Sequence, residues 1–276
     1  MPIIEPGNPE LKELKGIHLW HVGMSTCSQR VRVTLAELGL DFESHVVNLQ
    51  KGEHATKEYH DINPKGVVPS LIHDGTLIVE SVDIIAYLDK TLGGSKLQPE
   101  GQEEEIAALL AHADAAQAPL KVCTFEFLFS GAPPKSDEDF EKFVAGLQDK
   151  KLQQFHLDFR AGFDRDRIHA AVNAVDQDFQ TLEDRLSDGR TWMTGEDFTI
   201  ADIAWTPNFH RMDLLRWPLD RYPHLSAWFK RVSARPSYES ALESWEPKPL
   251  FDIALPVLDE RRANNDGIDN YGVLAA

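Results

Sequence analysis

The hydrophobic positions near the start of the chain change from the spacing of a strand to the spacing of a helix. A polar, proline-containing arm over residues 1–16 is predicted to be irregular, and residues 17–21 (Ile-His-Leu-Trp-His) read as a strand followed by a loop at 22–24. The next segment repeats apolar residues at helical spacing and ends at a glycine: Val31, Leu35, Leu38 and Gly39. Alternation over residues 42–47 then indicates a second strand.

The segment around residue 75 predicts a hairpin followed by a helix. Residues 71–79 are largely apolar on both sides of Asp74-Gly75, a dipeptide that strongly favours a tight hairpin turn. A helix follows with one apolar face, made of Ile84, Ile85 and Leu88. Residues 17–93 therefore read as strand, helix, strand, helix, two hairpin strands and helix, which is a small α+β domain.

After a linker over residues 94–101, which contains Gly, Ser and Pro, the periodic segments are helical. Two long helices carry apolar stripes at the expected spacing, Ile106, Leu109, Leu110 and Ala113 in the first, and Val172, Val175, Phe179, Leu182 and Leu186 in the second. An all-helical domain is predicted over residues 102–247, with an insertion at 131–166 and a C-terminal tail at 248–276.

The insertion and the tail each allow two interpretations. The insertion carries Pro133-Pro134 and then a helical pattern over residues 137–159. It either enlarges the core or a dimer face, or it forms a lid over a second substrate. The tail is either a disordered end, which is the simpler interpretation, or a strap across the mouth of a site.

Composition limits the class of protein. With 276 residues, 42% hydrophobic and 26% charged, the chain can form two modest soluble domains. It has no apolar run long enough to cross a bilayer, and its start lacks the pattern of a signal peptide. Two cysteines give no disulfide framework and favour the cytoplasm. With 28 basic against 45 acidic residues, neither nucleic acid nor a membrane is expected as a partner.

Residues 25–32 (Ser-Thr-Cys-Ser-Gln-Arg-Val-Arg) place two candidate activating groups, Ser25 and Cys27, where the first strand turns into a helix. Unpaired N–H groups and the positive end of the helix dipole stabilise an anion there, a thiolate in particular. A purely capping role for Ser25 or Ser28 is the structural alternative.

A second group of residues suggests the ligand. Val68-Pro69, just before a strand, can form a cis-proline turn that leaves the backbone of Val68 free to bond an extended peptide. Glu80 and Ser81 at a helix start offer a carboxylate for an ammonium group, and a hydroxyl with N–H groups for a carboxylate. A ligand with a thiol, peptide bonds, one ammonium and two carboxylates fits these partners. Glutathione is such a ligand.

In this order, the motifs resemble the cytosolic glutathione transferases over nearly the whole chain. Residues 25–32 are similar to the zeta-class (maleylacetoacetate isomerase) motif Ser-Ser-Cys-Ser-x-Arg-Val-Arg, whose first serine is catalytic. Residues 51–54 (Lys-Gly-Glu-His) with Asn63-Pro64 resemble a theta-class stretch whose histidine contacts glutathione. Residues 24–28 also resemble the tetrachlorohydroquinone reductive dehalogenases, in which the cysteine at the position of Cys27 takes part in the chemistry.

The resemblance implies an α+β fold, with a thioredoxin-like N-terminal domain (a mixed four-stranded sheet with helices) and an all-α C-terminal domain. It also implies a homodimer, glutathione as cosubstrate, a small hydrophobic electrophile as second substrate, and a role in detoxification. Glutathione is expected to contact His54, Lys65, Val68, Pro69, Glu80 and Ser81. Because glutathione is an anion and the chain has a net charge of -17, His54, Lys65 and the helix ends must overcome the global field.

Two mechanisms remain open. The Ser25 hydroxyl could donate a hydrogen bond to the glutathione sulfur and favour its thiolate. Alternatively, Cys27 is itself a thiolate, and it attacks a glutathionyl adduct and releases a reduced product through a mixed disulfide. Cys27 could also be a small packing residue, and Cys123 is assigned to the core. Arg32 is expected to be solvated or salt-bridged unless it turns inward.

Three reactions fit these motifs: conjugation to a halogenated or ether-linked aromatic, maleylacetoacetate-type cis–trans isomerisation, and reductive dehalogenation. The long insertion departs from a short isomerase and therefore favours the transferase. A non-catalytic glutathione-binding scaffold is the alternative of another class, since fold does not fix function. Aromatic residues of two helices could line the second-substrate pocket or pack in the core: Phe125, Phe127, Phe129, Trp205 and Phe209.

The sequence predicts neither a metal nor a nucleotide cofactor. His18 and His21 lie three apart on a strand and face opposite sides, and no Cys pair, His-Glu-x-x-His spacing or glycine-rich phosphate loop is found. Thr199 and Asp202 have the spacing of a capping box, so both are assigned structural roles.

Overall fold

The computed structural model describes residues 3–132 and 134–275. The strands, in chain order, are β1 (Ile3–Ile4), β2 (Ile17–His21), β3 (Glu43–Val46), β4 (Ser70–His73) and β5 (Thr76–Val79). The helices are α1 (Thr26–Leu38), α2 (Lys57–His60), α3 (Ser81–Leu88), α4 (Glu103–Ala115), α5 (Gln117–Thr124), α6 (Asp137–Gly146), α7 (Lys150–Ala161), α8 (Arg165–Leu186), α9 (Ile200–Leu214), α10 (Pro223–Ser233), α11 (Pro236–Ala241) and α12 (Lys248–Ala263). None of the helices in this part of the chain is long and apolar enough to cross a membrane.

The strands form one mixed sheet in the order β1-β5-β4-β2-β3. Strands β2 and β3 are parallel and the other pairs are antiparallel. The sheet has five strands rather than the predicted four, because Ile3 and Ile4 pair with Ile78 and Leu77. The prediction of an irregular arm is therefore wrong for these two residues. A two-residue strand is too short to show alternation and depends on the free edge of β5. Residues 1–2 lie outside the described part of the chain.

The predicted hairpin and its turn are confirmed. Asp74 and Gly75 both have positive φ, 47° and 79°, as a type I′ turn requires. The Asp74 carboxylate accepts a hydrogen bond from the N–H of Gly16 at 2.9 Å, which ties the turn to the residue before β2.

One apolar core runs from the inner face of the sheet into the helical part. Leu19 and Leu71 of the sheet, Leu35 of α1, and Trp205 and Phe209 of α9 are all buried in it. Helix α1 is therefore sandwiched between the sheet and the helical part, which fixes the position of its N-terminus. A smaller cluster covers the other face of the sheet, including Tyr59 and Ile72.

The predicted capping box at the start of α9 is confirmed. The Asp202 carboxylate accepts from the N–H of Thr199 at 2.9 Å, and its other oxygen accepts from the N–H of Met193 and from Trp228 Nε1. Asp202 is fully buried, so these hydrogen bonds offset its desolvation.

The insertion forms two helices, α6 and α7, and it packs against the sheet-containing part. The carbonyl of Gly146 lies 3.1 Å from His60 Nε2, and the Lys135 ammonium donates to the carbonyl of Gln50. Pro133 lies outside the described residues, and Pro134 begins the segment that leads into α6.

The tail is folded, so the prediction of a disordered end is wrong. It forms α12 and short 3₁₀ turns, and Ala254, Leu258 and Tyr271 are buried in the core. Arg261 forms an ion pair with Glu126 at 2.8 Å. This pair holds α12 against the helical turn that directly follows α5. Residue 276 is not among the described residues.

Candidate active site

Ser25 lies at the N-cap position of α1. Its Oγ accepts a hydrogen bond from the N–H of Ser28 at 3.2 Å, and its backbone is extended (φ -68°, ψ 119°). Because the oxygen is the acceptor in this bond, the hydroxyl proton is available to a further acceptor. The side chain is partly exposed, so capping and donation to a ligand are compatible.

Two buried arginines hold the loop that leads into Ser25. Arg32 donates to the carbonyls of Val22 at 3.1 Å and Gly23 at 2.6 Å, and Arg211 donates to the carbonyl of Met24. The expectation that Arg32 is solvated is wrong: its side chain is buried and turned inward, toward the backbone that precedes the serine. Burial lowers the pKa of Arg32 to about 9 and that of Arg211 to about 10.

Glu246 supplies the compensating negative charge, and the segment around it closes the back of the loop. Its charge opposes the effect of burial on the pKa of both Arg32 and Arg211. Its Oε1 also lies 2.8 Å from His210 Nε2. Trp245, the residue before Glu246, packs closely against Gly23. A Cβ on Gly23 would lie 2.0 Å from the Trp245 carbonyl oxygen. No sequence motif marked Glu246.

Cys27 is the second residue of α1, in its first turn, and is partly exposed. Its Sγ lies 3.6 Å from Gln117 Oε1, and the same oxygen accepts from Thr26 Oγ1 at 2.7 Å. Gln117 in turn donates to Asn208 Oδ1 at 2.5 Å. Side chains of the helical part therefore orient the start of α1. Cys123, in contrast, is fully buried as predicted, and burial raises the pKa of its thiol to about 12.

The Val68–Pro69 peptide bond is cis, as the sequence suggested. The adjacent carbonyl of Val67 accepts from Tyr59 Oη at 2.8 Å and from Asn63 Nδ2 at 3.0 Å, which anchors the turn. Within residues 3–132 and 134–275, the N–H and C=O of Val68 have no hydrogen-bond partner. They are free to bond an extended peptide.

Lys65, Glu80 and Ser81 come together at the start of α3. The Lys65 ammonium lies 2.6 Å from Glu80 Oε1, and Glu80 has a positive φ of 67°. Ser81 Oγ accepts from Arg30 Nη1 at 3.2 Å, which leaves its own proton free to donate. Arg30, which the sequence analysis did not single out, is fully buried and also donates to the carbonyl of Ala204. Burial lowers the pKa of Arg30.

His54 lies on a 3₁₀ turn, Glu53–Ala55, beneath the insertion. The ring packs against Phe143 of α6 with centroids 5.2 Å apart, and only 7% of the residue is exposed. Its Nδ1 is buried without a hydrogen-bond partner among the described residues. Burial lowers the pKa of His54 to about 4, and the charge of Lys135 contributes to this shift.

A cavity of about 580 Å³ separates Lys65 and Val67 from helices α5, α7 and α8.

Of the aromatic residues considered for a pocket, Phe127, Trp205 and Phe209 are 1% exposed and belong to the core. Phe125 instead packs edge-on against Phe155 and Phe159 of the insertion, with centroids 4.9 and 5.0 Å apart. The insertion therefore contributes one wall of the cavity.

The described residues include no group of three or more His, Cys, Asp or Glu side chains that could hold a metal ion.

Comparison with known proteins gives the family. Residues 24–91 match the sequence model of the glutathione S-transferase N-terminal domain, and residues 165–231 match that of the C-terminal domain. Glutathione S-transferase 1 of Dianthus caryophyllus is 41% identical over 215 residues, which are 75% of this chain and 85% of that protein. The chain belongs to the glutathione S-transferase family.

Two further proteins are similar to this chain over most of their length. The tetrachloro-p-hydroquinone reductive dehalogenase of Sphingobium chlorophenolicum is 25% identical over 83% of this chain and 98% of that protein. The crystal structure of the beta-etherase LigF from Sphingobium sp. strain SYK-6 superposes with a TM-score of 0.75 at 25% identity, covering 83% of this chain and 99% of LigF. Both the N-terminal sheet and the helical region are therefore those of a glutathione S-transferase.

The matched glutathione S-transferase domains leave out residues 92–164, which include α6 and α7. This unmatched segment also contains Lys121, a cavity residue that the sequence analysis missed. The one sequence feature that could have indicated Lys121 is its position between two apolar residues, Leu120 and Val122. Gln117 gave no signal, because its role depends on a contact with Thr26, 91 positions away in the sequence.

Proposed function

We propose that the protein is a glutathione transferase in which Ser25 holds the glutathione thiolate for attack on a hydrophobic, aromatic electrophile. The observation that carries the proposal is the state of the Ser25 hydroxyl. Its oxygen is engaged by the N–H of Ser28, and its proton is free at a partly exposed helix start. A donated hydrogen bond and the helix dipole both favour a thiolate over a thiol.

We further propose that residues 17–93 bind glutathione and residues 102–247 bind the electrophile. The backbone of Val68, held by the cis bond to Pro69, pairs with the cysteinyl residue of glutathione. Glu80 binds the ammonium group, and Ser81 donates to the neighbouring carboxylate. Lys65 releases its ion pair with Glu80 to make room for this ligand. His54 faces the glycyl end from beneath the insertion.

The reaction proposed is nucleophilic substitution at an aromatic carbon or at an ether-linked carbon. The sulfur–carbon bond forms, the bond to the halide or aryloxide breaks, and the thiol proton is released to solvent. Ser25 contributes by lowering the thiol pKa, which raises the fraction of thiolate near neutral pH.

A reductive reaction is the second candidate, and the position of Cys27 favours it. The thiol is partly exposed at a helix N-terminus, near the Lys121 ammonium. In this route the Cys27 thiolate attacks the sulfur of an aryl-glutathione adduct. The aryl–sulfur bond breaks, the ring carbon takes a proton, and a Cys27–glutathione disulfide forms. A second glutathione then reduces this disulfide and leaves as glutathione disulfide.

We also propose that the protein is a cytoplasmic homodimer with a role in detoxification. Its two cysteines, Cys27 and Cys123, are both unpaired, which suits a reducing compartment. The homodimer rests on membership of the family.

The test is an ultraviolet titration of the thiolate of bound glutathione in the wild type, Ser25→Ala, Ser25→Thr and Cys27→Ala. We expect Ser25→Ala to return the bound thiol to its solution pKa and to lower kcat/KM for an aromatic electrophile about 100-fold. Ser25→Thr keeps the hydroxyl and the cap, so it should retain the low pKa.

The same variants separate the alternatives. If the bound thiol keeps its low pKa in Ser25→Ala while Cys27→Ala abolishes turnover, the serine mechanism is wrong and the reductive route replaces it. If the wild type binds glutathione but turns over none of a panel of electrophiles, the protein is a glutathione-binding scaffold.

A further inference from the structure

The cavity beside the insertion is cationic although the chain as a whole is strongly acidic. The chain has a net charge of -17, yet the cavity is lined by four cationic side chains: Lys65, Lys121, Lys151 and Arg167. Asp149 is the one carboxylate among its described lining residues, and the remaining lining side chains are apolar. An apolar cavity with an excess of positive charge is suited to an apolar ligand that carries an anion.

Two of the cations already have carboxylate partners. Lys65 pairs with Glu80 at 2.6 Å, and Arg167 pairs with Asp158 at 2.7 Å. Lys151 lies on the rim and is exposed to solvent, which stabilises its charge. These three side chains therefore need no further anion.

The Asp149 carboxylate also has hydrogen-bond partners already. Its Oδ1 accepts from the N–H groups of Lys151 at 2.7 Å and Leu152 at 3.1 Å, because Asp149 is the N-cap of α7. The Asp149 carboxylate therefore caps the N-terminus of α7.

Lys121 is different, because its charge has no polar partner. Its ammonium lies 4.1 Å from the ring centre of Phe155 and 5.8 Å from that of Phe125, and it makes no hydrogen bond or ion pair within the described part of the chain. Burial lowers the pKa of Lys121 to about 8, with Asp149 opposing the shift. A half-buried ammonium with only aromatic contacts is stabilised when an anion enters beside it.

The cavity adjoins the proposed glutathione site. Val67 is on its wall and directly precedes Val68, whose backbone is proposed to bind the cysteinyl residue. Cys27, two residues after Ser25 in the first turn of α1, is close enough to Lys121 for the charge of a Cys27 thiolate to raise the pKa of the lysine. A ligand in the cavity therefore lies near the sulfur that would attack it.

We propose that this cavity receives the second substrate and that Lys121 binds an acidic group on it, so that the preferred electrophile is an aromatic carboxylate or phenolate. This rests on the proposed transferase function. The wall formed by Leu152 and Phe155 of α7 makes the insertion part of the acid-binding site.

A suitable reaction is glutathione with 4-chloro-3,5-dinitrobenzoate. The sulfur bonds to the ring carbon that carries chlorine, chloride leaves, and the thiol proton goes to solvent. The carboxylate beside Lys121 is unchanged by the reaction. The methyl ester of this compound keeps the ring and the leaving group and removes only the charge, so it is the matched neutral substrate.

The first experiment measures binding without chemistry. Calorimetric titrations of 3,5-dinitrobenzoate and its methyl ester, neither of which has the leaving group, are made on the wild type, Lys121→Met and Lys151→Met, with and without glutathione. We expect the wild type to bind the acid about tenfold more tightly than the ester, as for one hydrogen bond between charged groups. Lys121→Met should lose this preference, and Lys151→Met, a lysine of the same cavity on its exposed rim, should keep it.

A wild type that binds acid and ester equally, or a Lys121→Met variant that retains the preference, would overturn the proposal. Methionine preserves the length and apolar stem of lysine, and thermal melting identifies a variant that has lost its fold. If Lys121→Met has lost its fold, Lys121→Gln replaces it in the same titration.

The second experiment compares kcat/KM for 4-chloro-3,5-dinitrobenzoate and its methyl ester. The ratio of the two removes any effect of Lys121 on the glutathione thiol, because that effect is common to both substrates. We expect the ratio to fall about tenfold in Lys121→Met. If instead Lys121→Met weakens glutathione binding and leaves the ratio unchanged, the lysine holds a carboxylate of glutathione and the proposal is wrong. Selective acid binding without turnover of either compound would contradict the transferase function and leave the acid site standing.

Discussion

The hydroxyl of Ser81 connects the proposed ligand to the buried interior. It accepts from Arg30, so replacing the hydroxyl with hydrogen, as in alanine, removes both the proposed donor for a glutathione carboxylate and one acceptor of a buried guanidinium. We predict that Ser81→Ala weakens glutathione binding by about 1–3 kcal/mol, as for a lost hydrogen bond to a charged group, measured by calorimetry.

Thr124→Val is the matched control for this change. Thr124 Oγ1 is also buried and also accepts from a buried arginine, Arg211 Nη1, at 3.4 Å. The control should lower the melting temperature in a similar way while leaving glutathione affinity unchanged. Unchanged affinity in Ser81→Ala would remove Ser81 from the binding site.

At the scale of single residues, the sequence located the groups proposed to face a ligand, but it did not locate the groups that support them. Ser25, Glu80 and Ser81 follow strands and open helices, and these positions can be read from local patterns. Arg30 and Arg211 act through contacts with residues far away in the sequence, such as Ala204 and Met24. Local periodicity carries no information about such contacts.

At the scale of elements, α6 of the insertion packs closely against the 3₁₀ turn that carries His54. A Cβ on Gly146, at the end of α6, would lie 2.6 Å from the carbonyl oxygen of Ala55. We predict that Gly146→Ala displaces α6 from this turn and exposes His54. The pKa of His54, held at about 4 chiefly by burial, should then rise toward its ordinary value in a nuclear magnetic resonance titration.

Gly162→Ala, at the end of α7, distinguishes this effect from a general loss of stability. A Cβ there meets no atom within 4 Å, but the positive φ of 87° makes alanine unfavourable by about 1 kcal/mol. This control should lower stability and leave the pKa of His54 unchanged. A Gly146→Ala protein with an unshifted His54 would show that α6 does not shield the turn.

The elements that the sequence described poorly are those that depend on a distant surface. Strand β1 exists because β5 has a free edge, and α12 is ordered because Leu258 is buried in a core built by earlier helices. The hairpin and α1 were predicted because their signals, Asp74-Gly75 and an apolar stripe, lie within the element. The insertion showed its helical character but not the break between α6 and α7 or the surface it packs against.

At the scale of the molecule, net charge is a poor guide to local electrostatics. The acidic total disfavours the binding of an anion such as glutathione, and His54, Lys65 and the helix ends were expected to compensate for it. His54 has its pKa lowered to about 4, so it is neutral near pH 7, and Lys65 pairs with Glu80. Lys121 and the buried Arg30 and Arg211 are further cationic groups of this region, and tertiary contacts that composition does not show bring them together.

The pH dependence of stability should follow from three histidines that folding keeps neutral. Burial is the main cause that lowers the pKa of His21 and His156 to about 3 and that of His54 to about 4. Below pH 6.5 the unfolded chain binds protons on these groups, whereas the folded protein binds them only near pH 3–4. The free energy of unfolding is therefore at its full value above pH 6.5 and falls as the pH is lowered.

The loss should be on the order of 1–2 kcal/mol for each histidine at pH 5, measured by urea unfolding between pH 7.5 and 5. This window separates the histidines from carboxylates such as Glu37, whose lowered pKa places its effect at more acidic pH. His156→Gln should make the dependence shallower by up to about 1.4 kcal/mol per pH unit, because one proton fewer is taken up on unfolding. Equal slopes in His156→Gln and the wild type would show that the ring of His156 is protonated in the folded protein, and that the aromatic cluster around it does not exclude charge.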